Sequence, residues 1–226
     1  MRFDILTLFP ALCNTVLSES IIGRAREAGH IDIRTHNIRD FSHDKHRRVD
    51  DTPYGGGKGM LMAAPPVCEC HAFAVSDLAE GEMCKTVYMS PQGKVLTQKK
   101  AEELAKLDRL VILCGHYEGI DDRAIEEICD EEISIGDYVL TGGELPACIL
   151  VDCVGRLLPG VLADPECHEL ESISCGMLEY PQYTRPVDFN GKKVPDVLLG
   201  GNHADITEWR FRAALEKTAR KRPDLL

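Results

Sequence analysis

A chain of 226 residues, 44% of them apolar, is long enough to bury a substantial core, as one domain or as a large unit plus a small one. The formal charge of −11 argues against a protein that coats nucleic acid without selectivity, because phosphate contacts need a local positive field. That charge is uneven: residues 181–226 hold nine Lys or Arg against six Asp or Glu, a balance of +3, which leaves −14 for residues 1–180.

No run approaches the roughly 18 apolar residues of a membrane span, and Met1-Arg2-Phe3-Asp4 lacks a signal-peptide profile. The expectation is a cytoplasmic protein with no membrane partner. The ten cysteines are scattered, with Cys68-Glu69-Cys70 the one close pair and no CxxC anywhere. They read as small buried hydrophobes kept reduced rather than as a disulfide or zinc framework.

Residues 3–9 predict a first strand, followed by a helical stretch to about residue 28 and a second strand near 31–38. A polar, then glycine-rich loop fills 39–60. Short apolar runs at 86–89, 110–114 and 133–135 alternate with helical segments near 97–106, 121–129 and 144–157. The alternation predicts an α/β fold with a mostly parallel sheet covered by helices. Periodicity fades between 160 and 175, so the expected organisation is an α/β domain over 1–160, a linker or lid over 161–175 and a small helical domain over 176–226. The last helix, near 205–220, should turn Ile206, Trp209, Ala213 and Leu215 inward and leave Arg210, Arg212, Lys217 and Arg220 exposed.

Tyr54-Gly55-Gly56-Gly57-Lys58-Gly59-Met60 is the most glycine-dense stretch, and such a backbone can approach a phosphate closely. It is not a Walker A loop, and no GxGxxG follows the first strand. Three later segments share a pattern: Tyr88-Met89-Ser90-Pro91-Gln92-Gly93, Cys114-Gly115-His116-Tyr117-Glu118-Gly119-Ile120-Asp121, and Ile135-Gly136-Asp137-Tyr138-Val139-Leu140-Thr141-Gly142-Gly143-Glu144. Each starts at the carboxyl end of a predicted parallel strand, the edge where open α/β sheets hold ligands.

These residues carry a specific resemblance. HDKHRRVDDTPYGGGKGM, YMSPQG, CGHYEGIDDR, ISIGDYVLTGGELP, GRLLPGVL and GMLEYPQYTRP resemble, in order and spacing, the signature segments of the TrmD family of tRNA (guanine-N1)-methyltransferases. The likeness runs from Phe9-Pro10 to the final residues. It implies the SPOUT class, whose α/β sheet ends in a deep trefoil knot that cups bent S-adenosylmethionine, and a homodimer with cofactor and target base near the subunit interface. It also implies the target: the guanosine immediately 3′ of the anticodon (position 37) of tRNA, whose methylation maintains the reading frame.

The cofactor residues implied by the match are Met89, Ser90, Pro91, Gly115, Tyr117, Glu118, Ile135, Gly136, Asp137, Tyr138, Val139, Leu140, Gly142, Gly143 and Pro146. Guanine N1 carries a proton at neutral pH, so methylation needs a general base, and charge then moves toward O6. By similarity the O6-stabilising arginine is Arg156. The family's acid is an aspartate directly before a serine; here Glu171-Ser172 stands in that register, making Glu171 the expected base and Glu169 the reserve. For tRNA, the resemblance and the local charge point to His46, Arg48, Asp50 and Gly59 around the target guanine and to Arg185 with the C-terminal helix on phosphates. Magnesium assists family members; this chain shows no dedicated cage for it and no metal-ligating set, and His43 and His46 read as solvated. The rival readings are a nucleotide-phosphate enzyme built on residues 55–59, a noncatalytic RNA-binding module, and a methyltransferase acting on another RNA.

Overall fold

A computed structural model describes residues 1–162 and 171–226, which divide into two compact units, residues 1–163 and 164–226. In the first unit, β1 (Arg2–Thr7), β2 (Asp32–Asn37), β5 (Cys84–Val95), β6 (Arg109–Cys114) and β7 (Glu131–Ser134) form one sheet in the order β2-β1-β6-β5-β7, every neighbouring pair parallel. The remaining pair, β3 (Asp50–Asp51) and β4 (Leu61–Met62), is a short antiparallel hairpin beside the sheet.

Helices cover both faces, and the strands explain why. Along β6, Leu110, Ile112 and Cys114 join one core cluster while Val111 and Leu113 join the other, so an unbroken apolar run satisfies two faces at once. The first cluster packs under α1 (Pro10–Leu17), α2 (Ser20–Glu27), α4 (Gln98–Leu104) and α6 (Glu144–Gly155); the second lies under α3 (Ala64–Val75) and α5 (Asp122–Ile128). The expected mostly parallel α/β sheet is present.

Several local expectations need correction. The helix expected to run to residue 28 is two helices, broken where Ser20 takes φ +57° and where a Cβ on Gly23 would overlap the Ser18 carbonyl. The 39–60 loop contains β3. Helix α3 has no counterpart among the expected elements: Pro65 and Pro66 sit in its first turn, where a missing N–H costs nothing, and its apolar residues are not confined to one stripe.

The second unit is built on α7 (His203–Lys221), capped by Asn202, whose side-chain oxygen accepts the Ala204 N–H at 3.1 Å. Strands β8 (Asp188–Phe189) and β9 (Lys192–Lys193) form a hairpin turned by Asn190-Gly191 at φ +56° and +81°. The buried face of α7 is partly the expected one: Ile206, Trp209 and Ala213 are half-buried, but Leu215 is exposed and Lys217, expected outside, is half-buried. Ala214 and Thr218 are buried while Leu215 is 40% exposed. The Thr218 hydroxyl accepts the Leu178 N–H at 2.9 Å and Lys217 Nζ donates to the Glu179 carbonyl at 2.8 Å, so polar anchors set the helix rotation. Residues 163–170 of the expected linker lie outside the described residues; within its remainder, Ile173 N–H donates to the Met177 carbonyl at 2.9 Å to close a turn in the second unit.

Arg109 is 4% exposed and donates to Asp77 at 2.6 Å, Glu82 at 2.9 Å and the Ala74 carbonyl at 3.0 Å, while Arg2 adds a second bond to Asp77 at 2.6 Å. The Arg109 and Arg2 hydrogen bonds hold Asp77 well below its ordinary 3.8, and the Ala79 N–H and then Arg109 lower Glu82. Carboxylates that bind protons more weakly when folded contribute stability that is present above their unfolded pKa and lost as pH falls through the folded one. The melting temperature therefore falls as pH drops below about 4, and Asp77→Asn flattens that slope. Arg109→Ala removes the guanidinium that joins Asp77, Glu82 and the Ala74 carbonyl, leaving Arg2 on Asp77 and the Ala79 N–H on Glu82, and lowers stability in denaturant unfolding.

Candidate active site

Three loops at the carboxyl edge of the sheet meet in one cleft of about 320 Å³. Each departs from regular structure where a side chain would obstruct it. Strand β5 pairs with β7 up to Met89↔Ile133, shifts register, and resumes at Lys94↔Ile133, so residues 90–93 bulge outward. A Cβ on Gly93 would overlap the Glu132 backbone and lie 2.5 Å from Ile133 N, which leaves only glycine there. After β6, Tyr117 takes φ +59° and Gly119 φ +125°, turning the chain back over the sheet edge. After β7, Gly136 at φ +140° starts a tight turn in which Tyr138 N–H donates to the Gly136 carbonyl at 2.9 Å.

The third loop then returns to the second. His116 and Gly142 form an isolated antiparallel bridge, and Gly143 N–H donates to the Gly115 carbonyl at 2.8 Å. A Cβ on Gly143 would stand 2.8 Å from Cys114 Cα and 3.0 Å from Gly115 N, both backbone atoms that cannot yield. Helix α6 begins at once, and its first residue, Glu144, is 4% exposed with its carboxylate accepting from the Thr7 hydroxyl at 2.8 Å. That bond ties the α6 N-terminus to the end of β1. Under the cleft, a Cβ on Gly115 would come within 2.7 Å of the Tyr88 hydroxyl. Burial pushes the Tyr88 phenol up to about 12, so it stays protonated. Cys114, beneath the same loop, is likewise raised by burial, and the nine described cysteines are all free thiols.

Of the fifteen residues expected around a cofactor, fourteen line this cleft; Asp137 does not. Gln92, His116, Glu132 and Thr141 also line it and were not anticipated. Gln92, His116 and Thr141 lie between residues already singled out, a signal available from adjacency, whereas Glu132 is brought in by the β5 bulge and has no local signature.

The glycine-rich segment is joined to the same edge. Glu118 N–H donates to the Met60 carbonyl at 3.0 Å and Met62 N–H to the Gly119 carbonyl at 2.9 Å, while a Cβ on Gly59 would overlap the Glu118 side chain. Gly59 thus abuts the cleft, with Asp50 on the companion strand of the hairpin, opposite Met62. His46 stands apart from the lining residues, its exposed loop organised by Asp44, whose carboxylate is held down to about 2 chiefly by its bond to Arg48. Tyr54, beside the glycines, is 99% exposed, and the segment runs into β4 rather than a helix N-terminus, so it lacks the phosphate cradle of the nucleotide-phosphate rival.

Arg156 caps α6, half-buried, its N–H bonded to the Asp152 carbonyl at 3.2 Å. Glu171, half-buried, belongs to the second unit, as does exposed Arg185; Glu169 lies outside the described residues. Among the described residues no cluster of three or more His, Cys, Asp or Glu could hold a metal ion, and His43 is paired with Glu69 at 2.9 Å.

A family model described as tRNA (Guanine-1)-methyltransferase TrmD matches residues 1–226. The chain belongs to the TrmD family. A tRNA (guanine-N(1)-)-methyltransferase of Ruminiclostridium cellulolyticum is 60% identical over 225 residues, covering 100% of this chain and 96% of that protein. The enzymes of the same name from Lachnospira eligens and Geobacter sulfurreducens are 55% and 54% identical, again over 100% of this chain and over 94% and 91% of theirs.

In this TrmD chain the contact between Gly143 and Gly115 is the closest join between two of the cleft's loops. Gly143→Ala forces the two backbones apart and lowers stability by about 2 kcal/mol in denaturant unfolding, as overpacking does elsewhere. Gly200, which lies outside the left-handed region and where a Cβ would meet nothing nearer than 3.8 Å, serves as the comparison.

Proposed function

We propose that this chain is a tRNA (guanine-N1)-methyltransferase that takes its methyl group from S-adenosylmethionine and delivers it to the guanosine immediately 3′ of the anticodon. One observation carries the reading: three glycine-bearing loops of a parallel sheet converge on a single cleft in a chain matched along its whole length by the TrmD family. At about 320 Å³ the cleft falls within the roughly 300–1,000 Å³ of small-molecule sites. Its fit to an adenosine is supported by the tight packing of its loops on one another that Gly115, Gly142 and Gly143 permit and by the backbone donors and acceptors of the third loop. The return of the third loop against Gly115 supports reading this edge as the trefoil knot of the SPOUT class.

The sulfonium donor, when bound, supplies an electrophilic methyl carbon. The chain's own residues must prepare the nucleophile. Glu171 accepts the proton of guanine N1, leaving a lone pair to form the new N–C bond as the donor's methyl–sulfur bond would break and its electron pair leave on the neutral thioether, and the Arg156 guanidinium stabilises the charge that gathers on O6. Glutamate in place of the family's aspartate keeps the acidity and lengthens the reach by one methylene. Gly59, Asp50 and His46 hold the target base, and Arg185 meets phosphate.

Pairing of two copies is supported by exposed apolar residues on neighbouring helices: Leu12 and Val16 of α1 and Leu145 and Ile149 of α6 are 38%, 47%, 50% and 41% exposed, and Val139 in the third cleft loop is 82% exposed. A second copy would bury this patch next to the cleft. No helix among the described residues is long and apolar enough to cross a membrane.

Incubation with labelled S-adenosylmethionine and an unmodified tRNA transcript yields N1-methylguanosine on nucleoside analysis; label in any other nucleoside contradicts the reading. Glu171→Gln lowers kcat by roughly 100-fold or more while the donor's Kd holds, and Arg156→Ala costs roughly 100-fold. Sedimentation gives a dimer for the wild type and a monomer for Ile149→Asp.

A further inference from the structure

The second unit has a cleft of its own, about 420 Å³, of which the methyl-transfer reading uses only Arg185. Residues 180–185 pass along α7 and enclose it together with the 3-10 turn Asp196–Leu198. Its floor is apolar, from Val187, Val194 and Ile206. Its walls are planar. The Arg210 guanidinium carbon lies over one face of the Tyr180 ring, 4.9 Å from its centroid, and Tyr183, half exposed, tilts at a centroid distance of 6.4 Å toward Trp209, which does not itself line the cleft. Arg185 stands exposed at the rim.

Two features decide the occupant. Flat aromatic and guanidinium surfaces over an apolar floor suit a planar heterocycle, and two arginines beside them suit the phosphates on either side of it. An apolar peptide would leave the Arg185 guanidinium unmatched, and a free inorganic anion would leave the exposed Tyr183 ring unused. The cleft also lies in the stretch where charge turns from the −14 of residues 1–180 to +3. We infer that it is a nucleotide slot that stacks one unpaired base of the tRNA, distinct from the guanine that receives the methyl group. The slot rests on the tRNA reading for the identity of its ligand.

Trp209 is the chain's one tryptophan and therefore a site-specific reporter. Titration with an unmodified tRNA transcript changes its emission, and a fully paired RNA duplex of equal length does not. Tyr183→Ala raises the KM for tRNA about ten-fold, the effect of losing one stacked base, with the donor's Kd unchanged, and Tyr183→Phe restores it to within about two-fold because a phenyl ring stacks as well. Should Tyr183→Ala misfold, Arg185→Ala serves, and the slope of log affinity against log salt falls by about one. An unchanged KM in Tyr183→Ala, a Phe variant as impaired as Ala, an unchanged salt slope in Arg185→Ala or an equal response to duplex RNA overturns the slot. A wild type that methylates no tRNA yet shows the selective Trp209 response contradicts the enzymatic reading alone; one that methylates normally with Tyr183→Ala unimpaired contradicts the slot alone.

Discussion

The hydrogen bond from Gly143 N–H to the Gly115 carbonyl is the contact on which the rest of the site depends. A parallel sheet buried on both faces leaves only its edges for ligands, and here the carboxyl edge would be three separate turns without that join. Closing it requires two chain segments to approach to within backbone distance, which is why position 143 cannot carry a side chain: a Cβ there meets the Cys114 and Gly115 backbone, whereas one at 142 would displace the Glu144 and His116 side chains. The buried Glu144–Thr7 bond then fixes where α6 begins, and α6 in turn covers the core on the α1 side of the sheet. A polar pair with almost no solvent exposure specifies one geometry because any other leaves a buried carboxylate unsatisfied.

Much of this architecture is legible in the residues themselves. Runs such as Leu110-Val111-Ile112-Leu113-Cys114 can serve only a strand covered on both sides, and glycine clusters after such runs mark the ligand edge. What escaped has physical causes. Helix α3 lacks an amphipathic stripe and opens on two prolines; the break at residues 18–20 depends on one contact between Gly23 and a carbonyl; the rotation of α7 is set by Thr218 and Lys217 bonding to a segment nearly forty residues away. Long-range contacts of that kind leave no local period.

The same division holds for the site. Each cleft loop is visible by itself, yet the inclusion of Glu132 follows only from the bulge in β5, and the exclusion of Asp137 only from the turn around Gly136. Arg156 and Glu171 are recognisable through family resemblance and not through spacing, because one ends a helix in the first unit and the other opens the second. The charge pattern belongs to the same picture: an acidic unit whose cleft is lined by Glu118, Asp122 and Glu132 and, among the described residues, by no Lys or Arg suits a cationic ligand, and a basic C-terminal stretch suits RNA.

The most direct measurement is a crystal structure of the protein with S-adenosylhomocysteine, which occupies the donor site without reacting. The ligand is expected in the three-loop cleft, its adenosine against the backbone of residues 135–140 and close to Gly115. Density for it on the glycine-rich turn at residues 55–59, or an empty carboxyl edge at saturating ligand, would contradict the donor site proposed for this cleft.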